Sequence, residues 1–319
     1  MFALCVESSH QRGMGHLFRA LNLAALLGRR CVPYLLLVNA HVGTTQILRE
    51  RQVPFELVSL GDLNNDWEGA IIQKYGIKIW INDRLDTDIR HARKVKQHGV
   101  KLVTFDDRGS GAGAADLHFA PLAFDQVGTL EGQRVLRGLD YLILNPDIDN
   151  CRRLRTCVRS IVVSMGGSDT YGVTVRVVEM LRKIGTTATI ITGPGFRHQE
   201  RLRGMLTPEF VVKENVPALV EEFSRHDLAI TGGGVTPFEA NASGLPCIII
   251  ANEWSEVPSA LYLERLGCSL FIGHHSEMDR TALDYKARRE FSIESMSRAG
   301  LSRVSTRGLA NVLQELQAL

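Results

Sequence analysis

The fold is decided by three consecutive pieces: Phe2-Ala3-Leu4-Cys5-Val6, a turn that ends in Gly13-Met14-Gly15-His16, and Leu17-Phe18-Arg19-Ala20-Leu21-Asn22-Leu23-Ala24-Ala25-Leu26-Leu27. The first piece predicts a short buried strand, and the third predicts a helix. The glycines allow a tight turn and let a ligand approach the backbone. His16 is therefore expected in the first turn of the helix, at the carboxyl edge of a sheet, where open α/β folds bind ligands and free N–H groups favour anions. An imidazole in that position is a candidate general base.

Length and composition exclude several classes of protein. The chain has 319 residues, 45% of them hydrophobic, and at roughly 150 residues per domain this length predicts two domains. Its net charge is +2, and its lysines and arginines are scattered, which argues against a nucleic-acid partner. No apolar run approaches about 18 residues and no basic start precedes one, so we expect neither a signal peptide nor a stable membrane insertion. Six cysteines without C-x-x-C spacing favour reduced thiols and a cytoplasmic protein.

Apolar runs alternate with helical stretches along the whole chain, which predicts βαβ units and mostly parallel sheets. The fold class is therefore α/β, with two Rossmann-like domains that face a cleft. We place the domains at residues 1–148 and 149–319 because a Pro turn and a cluster of arginines interrupt the pattern between Asn145 and Arg155. The last helical piece, Arg307 to Gln317, could pack back on the first domain. The predicted strands are Phe2–Val6, 33–38, 55–58, 77–81 and 101–105 in the first half, and 160–164, 187–192, 210–212, 228–231, 246–250 and 269–272 in the second.

The strongest motif of the second half is Asp227-Leu228-Ala229-Ile230-Thr231-Gly232-Gly233-Gly234-Val235-Thr236-Pro237-Phe238-Glu239. An apolar strand enters three glycines and then a helix whose Pro237 suits a first turn. The start of such a helix offers backbone N–H groups and a partial positive charge to a diphosphate. Glu239, about one turn further on, could accept hydrogen bonds from the two hydroxyls of a ribose, although a capping or solvated carboxylate would look the same.

Other polar residues follow predicted strands and are expected at the same edge of each sheet. The turn after residue 164 is again rich in glycine and carries Ser168 and Asp169. Carboxylates near one histidine can orient it, raise its basicity or bind sugar hydroxyls. Of the adjacent pair Asp106 and Asp107, a cap of the turn before Gly109 explains one as readily as function does, and we assign Asp107 to the site. The expected substrate-binding residues are Gly15, Arg19, Asp83, Asp107, Ser168, Asp169, Asn252 and Glu253.

Three other chemistries find little support. His10, His274 and His275 lack partners at the spacing of metal ligands, so we expect no metal and no other cofactor. No serine lies in a G-x-S-x-G context, which excludes a nucleophile elbow. The first glycine run has Phe18 where a dinucleotide fingerprint needs its third glycine.

Taken together, these motifs resemble the UDP-sugar hydrolases of pseudaminic acid biosynthesis and the related spore-coat polysaccharide biosynthesis proteins, whose fold is the two-domain GT-B type. The resemblance runs to about residue 270 and is carried by Ser8-Ser9-His10-Gln11-Arg12-Gly13-Met14-Gly15-His16 with Arg19, by Ser164-Met165-Gly166-Gly167-Ser168-Asp169, and by Thr231-Gly232-Gly233-Gly234 to Glu239 with Gly244-Leu245-Pro246. The chain departs from the family where Cys5-Val6-Glu7 replaces Arg-x-Asp and where Asn252-Glu253 replaces Asn-Gln.

The resemblance implies an activity and a set of roles. The reaction would be metal-independent hydrolysis of a UDP-activated diacetamido-trideoxy sugar, with inversion at the anomeric carbon. His16 matches the catalytic histidine that holds or deprotonates the water, and Gly233, Gly234, Thr236 and Glu239 match the nucleotide site. UDP is then expected between the domains, mostly on the second. Two alternatives remain open: a glycosyltransferase of the same fold that uses a UDP-sugar donor, and a non-catalytic nucleotide-sugar-binding protein.

Overall fold

A computed structural model describes residues 1–7, 14–124, 130–278 and 292–319. The chain divides into two compact units, the first comprising Met1–Ile143 with Arg307–Leu319 and the second Leu144–Thr306. The boundary therefore falls before the stretch that the sequence indicated as the connection, and that stretch belongs to unit 2. The C-terminal helix is grouped with unit 1.

Unit 1 is built on a seven-stranded parallel sheet in the order β3-β2-β1-β4-β5-β6-β7. Two of these strands, β6 and β7, lie in a part of the chain where the sequence predicted none. Numbered along the chain, the strands are β1 Phe2–Val6, β2 Tyr34–Val38, β3 Phe55–Leu57, β4 Ile79–Asp83, β5 Lys101–Phe105, β6 Leu117–Ala120 and β7 Val135–Arg137.

Both faces of this sheet are covered, which explains why its strands are apolar on both sides. Leu4 and Val6 of β1 pack with α1 and with the C-terminal helix, whereas Cys5 points into a second cluster that contains Trp80. Aspartate side chains cap two of the helices on that second face: Asp66 accepts from Gly69 N, and Asp88 from Arg90 N. The helices of unit 1 are α1 Gly15–Arg29, α2 Val42–Glu50, α3 Trp67–Tyr75, α4 Ile89–Gln97 and α12 Gly308–Gln317.

Unit 2 repeats the plan with a six-stranded parallel sheet in the order β10-β9-β8-β11-β12-β13. Its core joins alternate strand residues such as Val163 and Ile230 to the apolar face of α6. The strands are β8 Ile161–Ser164, β9 Thr189–Thr192, β10 Val211–Glu214, β11 Leu228–Thr231, β12 Cys247–Ala251 and β13 Ser269–His274. The helices are α5 Ile148–Cys151, α6 Val173–Lys183, α7 Gln199–Arg203, α8 Leu219–Ser224, α9 Thr236–Ala242, α10 Val257–Arg265 and α11 Ile293–Arg303.

Each sheet has one point at which the strand order reverses. In unit 1 the chain runs outward from β1 to β3 and then returns to the other side of β1 as β4; in unit 2 the same reversal separates β8 from β11. Doubly wound folds bind ligands outside the carboxyl ends of the strands at such a point. The residues that follow β1, β4, β8 and β11 are therefore the first place to look for a site.

Two further features bear on the class of protein. All six cysteines are free thiols, and Cys5, Cys247 and Cys268 are buried. Burial raises the pKa of the Cys5 thiol to about 12, so this thiol is inert at neutral pH. Among the described residues, no helix combines the length and the hydropathy needed to cross a membrane.

Candidate active site

At the reversal point of unit 1, a histidine and an aspartate from different elements meet. His16 lies in the first turn of α1, and its Nδ1 is 2.6 Å from Oδ1 of Asp83, the last residue of β4. The carboxylate can only accept, so Nδ1 carries the proton and the lone pair of the neutral ring is on Nε2. The His16 side chain keeps 14% of its surface exposed. The imidazole is thus held in the tautomer that a general base needs.

Arg19 fixes the position of the Asp83 carboxylate. One turn after His16 on α1, its Nε donates to Asp83 Oδ2 at 2.8 Å, and its Nη2 donates to Asp83 Oδ1. This two-point contact fixes the plane of the carboxylate. Burial by itself would raise the pKa of Asp83, but the charge of Arg19, followed by His16 and the hydrogen bonds of both, lowers it to about 2. Asp83 is therefore ionised at any physiological pH.

Asp106 completes the network from the loop after β5. Arg19 Nη1 donates to Asp106 Oδ2 at 2.7 Å, while Leu122 N donates to Asp106 Oδ1. The backbone of Asp106 is left-handed, with φ of 49°, a conformation that aspartate tolerates better than most residues. The guanidinium also lies over the ring of Phe105, 5.0 Å from its centroid. We call His16, Arg19, Asp83 and Asp106 the histidine cluster.

This arrangement engages two of the expected substrate-binding residues. Arg19 and Asp83 are almost fully buried, and their polar atoms are engaged with each other, with His16 and with Asp106. These contacts hold the imidazole of His16 in a fixed orientation, and the predicted sugar contacts of Arg19 and Asp83 stay predictions. Gly15 is exposed at the start of α1, and nothing lies within 4 Å of where a Cβ would be, so packing among the described residues does not require a glycine there. Residues 8–13 of the first motif lie outside the described residues.

The adjacent aspartates Asp106 and Asp107 make different contacts. Asp107 is fully buried, and its Oδ1 accepts from Thr87 N at 3.0 Å and from Gly109 N at 2.8 Å. These bonds tie the loop after β5 to the loop after β4, which is the capping role considered for one member of the pair. Asp106, which was not assigned to the site from the sequence, is the member of the pair that contacts Arg19.

In unit 2, Gly232–Gly234, which we call the glycine turn, follows β11 and leads into α9, which begins at Thr236. A Cβ on Gly232 would lie 2.6 Å from Asn252 Nδ2, and a Cβ on Gly233 would lie 2.8 Å from Glu256 Cβ. The first two glycines are thus needed because the chain after β12 packs against them. At Gly234, the nearest atom to an added Cβ is Glu256 Oε1, at 3.4 Å.

A carboxylate of the protein already contacts the glycine turn. Glu256 Oε2 accepts from Gly233 N at 3.1 Å, from Asn252 N at 2.7 Å and from Glu253 N at 3.4 Å. Burial raises the pKa of Glu256, and these N–H donors oppose that shift. Glu256 was not predicted as a site residue. The structure contains a capping box between Glu253 and Glu256, and its sequence signal is Glu253-x-x-Glu256 ahead of a helix with Pro258.

Glu239 is the other notable acid of this region. It lies in the first turn of α9, and its Oε1 accepts from Asn145 N at 3.1 Å. Burial raises its pKa to about 7, while the bond from Asn145 works in the opposite direction. With a pKa of about 7, this carboxyl group is partly protonated at neutral pH, because the N–H of Asn145 does not offset the effect of burial.

Asn252 and Glu253 leave the carboxyl end of β12 as expected. Asn252 Nδ2 donates to Met165 O at 3.3 Å, and its Oδ1 is buried without a hydrogen-bond partner among the described residues. The exposed Glu253 accepts from the hydroxyl of Tyr171 at 2.8 Å. Both residues therefore lie beside the turn after β8, which Met165 and Tyr171 flank.

Within that turn, Asp169 has a structural role. Its two oxygens accept from Val173 N at 2.8 Å and Thr174 N at 2.9 Å, which satisfies the first N–H groups of α6. Its buried side chain caps α6, and its predicted contact with a substrate stays a prediction. Ser168 is half-buried, with its hydroxyl 3.5 Å from that of Thr170, and it remains a candidate contact. Across the described ranges, no group of three or more His, Cys, Asp or Glu residues is arranged to hold a metal ion.

At the level of sequence, no family model matches the chain. The spore coat polysaccharide biosynthesis protein SpsG of Bacillus subtilis is 23% identical over 98% of this chain and 96% of its own length. An uncharacterised protein, MJ1062 of Methanocaldococcus jannaschii, is 23% identical over 78% of this chain and 55% of its own length.

Solved structures cover the chain from end to end. MurG of Acinetobacter baumannii matches with a TM-score of 0.70 at 12% identity, over 100% of this chain and 99% of that one. The spinosyn rhamnosyltransferase SpnG, complexed with thymidine diphosphate, matches with a TM-score of 0.65 at 13% identity, over 99% and 100%. The fold is the GT-B glycosyltransferase type. MnaA of Staphylococcus aureus, in a structure with UDP, has a TM-score of 0.65 at 12% identity, over 99% of this chain and 96% of its own. At these identities, the similarity establishes the fold alone.

Proposed function

We propose that this chain is a GT-B enzyme that transfers a sugar from a UDP-sugar to an acceptor hydroxyl, with His16 as the general base. The observation that carries the proposal is the histidine cluster. His16 is held 2.6 Å from an aspartate that is itself clamped by Arg19, which fixes the tautomer and leaves Nε2 as the proton acceptor. A buried network of this kind around one partly exposed imidazole supports the assignment of a catalytic base.

The proposed step balances without a metal or a redox partner. The acceptor oxygen attacks the anomeric carbon while the bond from that carbon to the diphosphate breaks, and UDP leaves with the electron pair. His16 Nε2 takes the proton of the acceptor hydroxyl, and Asp83 stabilises the resulting imidazolium. A single displacement of this kind inverts the anomeric configuration.

The nucleotide is assigned to unit 2. The supporting observations are the glycine turn and the carboxyl of Glu239, whose pKa is raised to about 7. Glu239 would accept from the ribose hydroxyls, and Gly233, Gly234 and Thr236 would border the diphosphate. SpnG and MnaA were solved with TDP and UDP, which makes these two nucleotides the first ones to test.

A second candidate is hydrolysis, in which water replaces the acceptor and the rest of the mechanism is unchanged. It is favoured by the resemblance of the motifs around His16, Ser168 and the glycine turn to the UDP-sugar hydrolases of pseudaminic acid biosynthesis. The substrate would then be a UDP-activated diacetamido-trideoxy sugar. The similarity to SpsG, named for polysaccharide biosynthesis, and to glycosyltransferase structures favours transfer.

One experiment separates the two candidates. The purified chain is incubated with a panel of UDP- and TDP-sugars, with and without a mixture of sugar and alcohol acceptors, and release of the nucleoside diphosphate is followed. Transfer predicts release that depends on an acceptor and a new glycoside in the products. Hydrolysis predicts equal release without acceptor and a free reducing sugar. Binding of a UDP-sugar without release under either condition would support the non-catalytic alternative.

A further inference from the structure

Glu256 is a carboxylate in a place where the proposed function puts a diphosphate. Its Oε2 accepts from the N–H groups of Gly233 and Asn252, and so joins the turn after β11 to the turn after β12. Its Oε1 lies on the side of Gly234, 3.4 Å from where a Cβ of that residue would be. An anionic ligand at the glycine turn would therefore meet a negative charge within contact distance.

Among the described residues, no lysine, arginine or histidine side chain hydrogen-bonds to Glu256 or forms an ion pair with it. The other titratable or charged groups of this region are Glu253 on the same turn, Tyr171 from the loop before α6, His274 and His275 at the end of β13, and Arg176 on α6. Arg176 Nη1 donates to the carbonyl of His275 at 2.6 Å. Glu253 adds negative charge, and the phenol of Tyr171 is hydrogen-bonded to Glu253. The His274 ring contacts the carbonyl of Asn252, and burial lowers the pKa of His275, which keeps that ring neutral at neutral pH.

If the Glu256 carboxylate and a diphosphate both stay fully charged in this partly buried site, their repulsion raises the free energy of the complex. Protonation of the carboxylate removes this repulsion. We propose that Glu256 takes up a proton when a nucleoside diphosphate binds at the glycine turn, an inference that rests on the function proposed above. The protonated carboxyl retains one oxygen to accept from Gly233 and Asn252. Its other oxygen then carries a hydrogen that can be donated to a phosphate oxygen. Glu256 thereby changes from a repulsive neighbour to a hydrogen-bond donor.

The shift of Glu256 towards the neutral form by burial is consistent with this exchange, since a group already destabilised as an anion needs less free energy to accept a proton. The consequence is a pH-dependent affinity. Above the pKa of Glu256 in the free protein, UDP affinity should fall about tenfold per pH unit, because each binding event consumes one proton.

The test is a proton count at pH 8, where UDP itself is fully ionised. UDP is titrated into the protein by calorimetry in buffers of different ionisation enthalpy, with the wild-type chain, Glu256→Gln and Glu277→Gln. The glutamine at 256 keeps an acceptor for the two N–H groups but removes the charge. Glu277 is exposed, and its change alters the net charge of the protein by the same amount. Uridine, which has no phosphate, is the ligand control.

We expect the wild type and Glu277→Gln to take up close to one proton per UDP, and Glu256→Gln to take up almost none and to bind UDP about tenfold more tightly at pH 8. Uridine should show no uptake with any of them. The same proton count and the same pH dependence with and without the Glu256 carboxylate would reject the inference and leave the nucleotide site intact. If UDP does not bind the wild-type chain, the proposed function fails and the inference fails with it. The wild-type count needs no variant and so does not depend on how well Glu256→Gln folds.

Discussion

The acidic residues around His16 in unit 1 and those beside the glycine turn and α9 in unit 2 are held in opposite states. In unit 1, Asp83 and Asp106 share the guanidinium of Arg19, and the pKa of Asp83 is lowered to about 2. In unit 2, Glu239 and Glu256 receive only neutral N–H donors, and burial raises the pKa of both, that of Glu239 to about 7. A fixed negative charge stabilises a histidine that gains a proton. A carboxyl group whose pKa is raised towards neutral pH can instead gain or lose a proton when a ligand binds. The contrast therefore supports the proposal that unit 1 carries proton transfer and unit 2 ligand recognition.

The largest effect is expected when the base is removed. His16→Asn should lower kcat for UDP release by roughly 10²- to 10⁴-fold, the usual contribution of a positioned general base. The matched control is His98→Asn, at the end of α4 in the same unit, which should leave kcat unchanged. Steady-state kinetics with the best substrate of the panel provide the measurement. Turnover of His16→Asn at the wild-type rate would make the imidazole structural.

The next largest effect concerns the stability of the folded chain and tests whether burial raises the pKa of Glu239. With a folded pKa of about 7 and an ordinary pKa near 4.5, the folded state binds more protons than the unfolded state between these values. Stability should therefore fall as the pH rises through that interval. Glu239→Gln should stabilise the chain by on the order of 2 to 3 kcal/mol at pH 8 and by little at pH 4.5.

Chemical denaturation at both pH values measures this difference. Glu264→Gln, on α10, is the control for a loss of one carboxylate and should show no such gain. A Glu239→Gln protein that is less stable than the wild type at pH 8 would mean that the carboxylate is a structural ligand of Asn145, and the contrast between the units would lose its second half.

The smallest effect distinguishes two neighbouring acids. Asp106→Asn weakens the hold on Arg19 and should lower kcat by about tenfold, roughly 1.4 kcal/mol, with UDP affinity unchanged. Asp107→Asn should instead lower the melting temperature, because the bonds to Thr87 and Gly109 are weakened, and leave kcat of the folded protein as it was. Kinetics and thermal unfolding of both variants check this split. The reverse pattern would restore Asp107 as the functional member of the pair.

Most of the fold was predictable because long apolar runs between helices are a local signal. β1, β5 and β11 have the predicted bounds, and the other predicted strands differ by one or two residues at their ends. β6 and β7 were missed because they are short, and β6 contains a histidine that breaks the apolar pattern. β6 pairs with β5, and β7 pairs with β6, which are tertiary contacts that no local pattern reveals.

From the sequence, residues of the candidate site could be predicted only where they lie at the end of a strand or in the turn that follows it. The turn after β1 placed His16, and the tip of β4 placed Asp83, but the sequence could not show that Arg19 joins Asp83 across 64 residues. Nor could it show that the same guanidinium also contacts Asp106. The capping of α6 by Asp169 is local and could have been read from its position just before the helix.

The central claim is that proton transfer and nucleotide recognition belong to different residues in different units. The most direct test is to measure the UDP dissociation constants of His16→Asn and Glu239→Ala beside that of the wild type by calorimetry. The account predicts an unchanged constant for His16→Asn and a loss of about 1.5 to 3 kcal/mol for Glu239→Ala, the contribution of hydrogen bonds to a charged group. Weakened UDP binding by His16→Asn together with unchanged binding by Glu239→Ala would contradict it.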